Sequence, residues 1–148
     1  MNHTRSIDLN ADVGEIPELQ SNGTEARLIA AVSSVNIACG GHAGDISSVE
    51  TAVRTAIAHG VAIGGHPSYP DRANFGRVVM EITHHDLMRD IYRQVVSLMS
   101  VAREHGAVVR HVKPHGALYN AAVDDANLAA VIAKPLAEWR DSLTLVGL

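Results

Sequence analysis

The stretch Val35–His66, VNIACGGHAGDISSVETAVRTAIAHGVAIGGH, decides the fold. Val35–Cys39 is a short apolar run and reads as a buried strand. After the polar, glycine-rich GGHAGD, a helix is predicted from about Ser47, where Ser47 and Glu50 stand at the capping-box spacing, and Gly60 stops it. Val61–Ile63 is a second apolar run. Strand, helix and strand within about 30 residues is the pattern of a parallel pair joined by a right-handed crossover.

The same alternation extends in both directions. Upstream, Ser6–Asn10 reads as a strand and Gly23–Val32 as a helix with Thr24 as N-cap. Downstream, GGHPSYPDRANFGRVV (Gly64–Val79) is a long connection, rich in Gly and Pro. From Thr83 to His105, Leu87, Ile91, Val95, Leu98 and Ala102 recur at steps of three and four, the stripe of an amphipathic helix that Gly106 ends. Val108–Val112 is a further strand. Asp125–Trp139 is a helix that Pro135 is predicted to end or kink near Ala133, and SLTLVGL (Ser142–Leu148) is a fifth strand. Neither a repeat nor a linker divides residues 1–148, so a single α/β domain is expected. With no helix after the fifth strand, it is either a five-stranded open parallel sheet or the first part of a longer barrel. Both place a ligand site at the carboxyl ends of the strands.

Composition narrows the function. With 148 residues, 47% apolar and 19% charged, the chain can bury one core. A net charge of −4 with acids and bases interspersed offers no basic stripe for nucleic acid and no polybasic membrane anchor, and 3% aromatic content supplies no base-stacking platform. The apolar runs fall short of a membrane span, and the N-terminus has no apolar segment of the secretory type. The single cysteine, Cys39, excludes an intrachain disulfide; a cytoplasmic protein is expected.

Chemistry-bearing residues collect at the strand ends. DLNADVGE carries Asp8, Asn10, Asp12 and Glu15, and NIACGGHAGD carries Asn36, His42 and Asp45. GGHPSYPD carries His66 and Asp71, and VKPHGALYN carries Lys113, His115 and Tyr119. In a parallel sheet all four loops open on one side. Two or three imidazoles with a carboxylate suit a catalytic divalent metal, with Asp12, His42, His66 and His115 as the candidate ligands. Without a metal, Glu15 or His115 would serve as general acid or base and Lys113 as partner to a developing oxyanion or a phosphate. Gly40, Gly41 and Gly44 at a strand-to-helix turn are candidates for anion binding. Arg72, Phe75 and Arg77 in the long loop either touch substrate or close a turn. His3, His59, His84, His85, His105 and His111 fall at the terminus, in helices or within a strand, and are read as structural. Cys39 is read as an apolar filler.

Together and in order, DLNADVGE, SVNIACGGHAGD, GGHPSYPDRANFGR and VKPHGALYN resemble the LamB/YcsF family, whose members are the A subunits of the bacterial ATP-hydrolysing 5-oxoprolinase. The resemblance implies an irregular (β/α) barrel of the glycoside hydrolase/deacetylase type, of which this chain is the N-terminal portion, truncated at the C-terminus. It implies cleavage of 5-oxo-L-proline to L-glutamate coupled to ATP hydrolysis, with 5-oxoprolinase subunits B and C as partners and ATP as co-substrate. A divalent metal (Mg, Mn or Zn) and a homo-oligomer are both compatible with it. Carried onto this sequence, Asp12, Glu15, Lys113 and His115 are the expected catalytic residues. Asn10, Asn36, Gly40, Gly41, Gly44, Asp45, Arg77 and Tyr119 are the expected substrate or phosphate contacts. Two alternatives remain open: a metal-dependent amidohydrolase or deacetylase working without ATP, and a non-catalytic component that presents substrate.

Overall fold

The structure is a computed structural model and describes residues 6–147. Its five strands are β1 (Asn10–Val13), β2 (Ser34–Ala38), β3 (Ala62–His66), β4 (Val109–Val112) and β5 (Thr144–Leu145). They form one open sheet in the order β1-β2-β3-β4-β5, every neighbouring pair parallel. The helices are α1 (Pro17–Ser21), α2 (Thr24–Ala30), α3 (Ile46–His59), α4 (His84–Glu104), α5 (Gly116–Ala121) and α6 (Ala126–Ala133), with a 3-10 turn over Lys134–Trp139.

Strand order equal to chain order, with right-handed crossovers, keeps the helices on one face of the sheet. That face is apolar: Val13, Val35, Ile37 and Ile63 pack against Val53 of α3 and Leu98 of α4. Farther along, Val112 joins Leu87, Ile91 and Val95 of α4 with Leu128 and Ile132 of α6. The opposite face is polar, because strand residues alternate sides. It carries Asn10 and Asp12, Ser34 and Asn36, Gly64 and His66, and His111. A bulge in β4 sets Ile63 opposite Val109 but Gly64 opposite His111, with Arg110 as the extra residue. Val109 and Val112 thus both reach the helix side, while His111 joins the polar one.

The fold class and the open parallel sheet agree with the sequence, and boundaries differ where physics beyond local pattern intervenes. The first strand is Asn10–Val13, not Ser6–Asn10: Ile7 and Leu9 are 84% and 56% exposed, and Asp12 lies opposite Asn36. Gly23, at φ 76, replaces Thr24 as N-cap of α2. The capping box of α3 is formed by Asp45 and Ser48 rather than Ser47 and Glu50. β3 runs on through Gly64 and Gly65 to His66, since pairing on both edges compensates for weak glycine propensity. α4 starts after its N-cap Thr83, as the pattern predicted, and α6 gives way to the 3-10 turn at Lys134, one residue before Pro135. The fifth strand shrinks to two residues, and Leu148 of its predicted span lies outside the described residues. Among the described residues no helix is long and apolar enough to cross a membrane.

Candidate functional site

Four strand ends deliver the site. Asp12 sits in β1 and Glu15 just past it, beyond Gly14, whose backbone N–H donates to Glu25 Oε2 at 2.9 Å. His42 lies in the turn after β2 and His66 ends β3. Past β4 the chain stays stitched to the β3 side: Lys113 N donates to Gly65 O at 2.9 Å and His115 N to Pro67 O at 2.8 Å. His42, His66 and His115 are buried, and Asp12 stands at the rim with its side chain 34% exposed. One ligand atom each from Glu15, His42, His66 and His115 lie within 4.8 Å of one another.

The hydrogen bonds assign the tautomers. His66 Nδ1 lies 2.6 Å from Lys113 O, and His115 Nε2 lies 2.9 Å from Phe75 O. Carbonyls only accept, so both of these nitrogens carry protons. In the neutral rings His66 Nε2 and His115 Nδ1 are therefore bare lone pairs, and they face each other at 3.0 Å. Around them stand more acceptors: Asp12 Oδ2 is 3.3 Å from His66 Nε2, and Glu15 Oε1 is 3.4 Å from His115 Nδ1 and 3.8 Å from His66 Nε2. Lone pairs this close repel one another, and a cation between them would relieve that repulsion. His42 Nε2 approaches Glu15 Oε1 at 2.9 Å, while its Nδ1 is buried without a partner. Converging nitrogen and carboxylate donors with an orphaned imidazole nitrogen fit a divalent metal.

Electrostatics point the same way. Burial would raise the Asp12 carboxyl, but His66, Asn36 and Lys113 outweigh it and hold the group well below the usual carboxylate range. Glu15 behaves alike: burial opposes ionisation, and the histidines overcome it. Burial, reinforced by neighbouring His42 and His66, pushes His115 down to about 4, so at neutral pH this ring is a ligand or base rather than a cation. Lys113 Nζ bridges both Asp12 oxygens at 3.0 and 3.2 Å. A cavity of about 440 Å³ opens beside the cluster, lined by Glu15, His42, Phe75, Ser47, Ser48 and Arg72 among others.

The remaining sequence candidates spread outward. Asn36 and Asn10 lie beneath Asp12 on the polar face, Asn36 fully buried. At the glycine turn the carbonyls of Gly40 and Gly44 accept from Arg72, and Gly41 is pressed against Ser68 and Gln94. The carboxylate of Asp45 caps α3, taking the N–H of Ser48 at 2.8 Å, so the chain's own anion occupies that helix start. Tyr119 lies 6.0 Å from the Lys113 ammonium, and the exposed Arg77 stacks over Phe75 at 5.2 Å. Phe75 is the one non-glycine among the described residues at positive φ (55°). Its carbonyl holds His115 and its ring edges onto His42 and His115. Burial pushes the Cys39 thiol up to about 12, which removes it as a nucleophile.

Three supporting residues escaped the sequence reading. Buried Glu25 fixes Gly14 and receives Gln20. Gln94 holds both backbone groups of Ser68, and its polar side chain inside the α4 apolar stripe was the available signal. His111, read as structural, donates into Asn36 at 2.8 Å.

The LamB/YcsF family profile matches residues 7–148. The lactam utilization protein from Thermus thermophilus superposes with a TM-score of 0.87 at 39% identity, over 97% of this chain and 58% of that one. A protein from Enterococcus faecalis, proposed to cleave cellobiose-phosphate, shares the fold alone: TM-score 0.52 and 18% identity over 92% of this chain and 56% of that one. The chain thus spans less than two thirds of the length of either.

Proposed function

The chain belongs to the LamB/YcsF family, and from that premise we propose that it supplies the A-subunit site of an ATP-dependent 5-oxoprolinase, converting 5-oxo-L-proline to L-glutamate. One observation carries the reading: Asp12, Glu15, His42, His66, Lys113 and His115 converge from four strand ends beside a cavity that suits a small polar substrate. The kinship with a lactam utilization protein supports a cyclic amide as that substrate.

A lactam carbonyl is a poor electrophile because its nitrogen shares its lone pair. Transfer of the ATP γ-phosphoryl group to the lactam oxygen makes C5 attackable by water. The C–N bond then opens, and over the whole cycle two waters are consumed as glutamate, ADP and phosphate form. Glu15 takes the proton of the attacking water, with His42 orienting the carboxylate. Lys113, anchored by Asp12, faces the charge that develops on oxygen. ATP and subunits B and C are part of the proposal, as is the closing of the sheet into a barrel by further strands.

The bare lone pairs of His66 and His115 favour a second reading, a metal-dependent amidohydrolase acting without ATP. Glu15, His66 and His115, with Asp12 or His42, would hold the ion. When bound, it would polarise the amide carbonyl and acidify water. One experiment separates the two: glutamate release from 5-oxoproline by the full-length protein with its B and C partners, with and without ATP and with and without chelator. Release only with ATP and all subunits supports the oxoprolinase. Release without ATP that a chelator abolishes supports the second reading, and no release in any mixture rejects both.

A further inference from the structure

We propose that His111, acting through Asn36, is a positioning residue for Asp12. Its catalytic consequence rests on the reaction proposed above; its hydrogen-bond geometry does not. Asn36 is fully buried, and its amide has one sensible orientation. Its Nδ2 donates to Asp12 Oδ1 at 2.6 Å and to Asn10 Oδ1, while its Oδ1 accepts from His111 Nε2 at 2.8 Å. Turned over, the amide would set its oxygen against a carboxylate and its NH2 against an N–H. His111 is therefore the tautomer protonated on Nε2. Burial holds this imidazole below its usual range, so it is neutral at pH 7.

The chain makes room for this ring. A Cβ on Gly64 would fall 2.1 Å from His111 Nε2, and the β4 bulge turns His111 to the polar face. The consequence reaches the site. Asp12 Oδ1 is held by Asn36 and Lys113, while Oδ2, which also accepts from Lys113 at 3.2 Å, faces His66 Nε2 at 3.3 Å. Without the His111 donor, Asn36 Oδ1 keeps only Asn10 Nδ2 at 3.4 Å, so the amide is held firmly on its Nδ2 side alone and is free to shift against Asp12.

The test compares His111→Leu with His111→Gln, whose amide N–H restores a donor, in the full-length protein assembled with its partners. His111→Leu is expected to lower kcat for glutamate release on the order of tenfold to a hundredfold, with KM changed by less than about threefold, and His111→Gln to recover most of it. Long-range 1H–15N NMR on this chain should show His111 protonated at Nε2. The Asn36 side-chain NH2 signals should move in His111→Leu and stay in His111→Gln. Equal kcat in the two variants, or a His111 proton on Nδ1, overturns the proposal. A wild-type complex that releases no glutamate sinks the oxoprolinase reading instead, and the NMR result then decides the relay by itself.

Discussion

Replacing Gln94 by leucine should destabilise the protein far more than a polar-to-apolar change on a helix suggests. Gln94 sits in the buried stripe of α4, and its side chain is the partner of a strand-like loop: Oε1 accepts from Ser68 N at 3.1 Å, and Nε2 donates to Ser68 O at 2.8 Å and to Asp90 Oδ2 at 2.7 Å. Ser68 is fully buried, so water cannot replace these bonds. Leaving two buried backbone groups unpaired costs about 1–3 kcal/mol each. Burial of the leucine returns about 1–2 kcal/mol. The net is a loss of about 1–4 kcal/mol, which for a chain of this size lowers Tm by roughly 3–15 °C. Because Ser68 lies two residues past His66, the variant should also weaken whatever His66 binds. Thermal melts by circular dichroism, with urea denaturation for the free energy, measure the effect. A Tm within about 2 °C of wild type would refute the idea that Gln94 anchors this loop.

Other consequences are equally concrete. Gly116→Ala combines φ +57 with a Cβ 2.5 Å from Gly76 O, so a loss of about 2–4 kcal/mol is expected in urea denaturation; a loss under about 1 kcal/mol would show that the turn relaxes freely. Isothermal titration should find a Mn2+ or Zn2+ site that Glu15→Gln weakens on the order of a hundredfold, and equal affinity in the variant would remove Glu15 from the ligand set. Stability should also depend on pH. His115 titrates near 4 when folded and near 6.5 when unfolded, and His111 is depressed in the same direction. Between those values the unfolded chain binds the extra proton, so stability present above pH 6.5 is lost as pH falls toward 4. In chelator-treated protein the urea midpoint should therefore be lower at pH 5 than at pH 7.5, and a midpoint that holds or rises would contradict the neutral, buried assignment of these rings.

The alternation of apolar and amphipathic segments was enough to foresee five parallel strands, because each crossover leaves a local record in spacing and stops. Asp12, Glu15, His42, His66, Lys113 and His115 were legible for a related reason: in a parallel sheet the loop after each strand faces one side, so sequence position alone implies assembly. The supports were not legible. Glu25 stands in the first turn of α2, and only the fold shows that its carboxylate accepts from Gly14. His111 reads as structural in the sequence, but its reach to Asn36 stays hidden because its facing depends on a bulge, which no local pattern in β4 announces. The missed α1 and α5, of five and six residues, are too short for a periodic signal.

Counting donors against acceptors explains why the site is organised around positive charge. At Asp12 the balance is met inside the chain, since Lys113 and Asn36 supply protons to the carboxylate. Deeper in, Glu15, His66 Nε2 and His115 Nδ1 present lone pairs to one another, and among the described residues the only proton aimed at them comes from His42. Backbone carbonyls at Lys113 and Phe75 fix both facing tautomers, so the rings cannot resolve the conflict by moving a proton from one nitrogen to the other. Two backbone contacts and a residue at positive φ hold these lone pairs together. A cation between them would relieve their mutual repulsion. A metal ion and a proton would compete for the same lone pairs, so binding of either weakens the other and metal affinity must fall as pH is lowered.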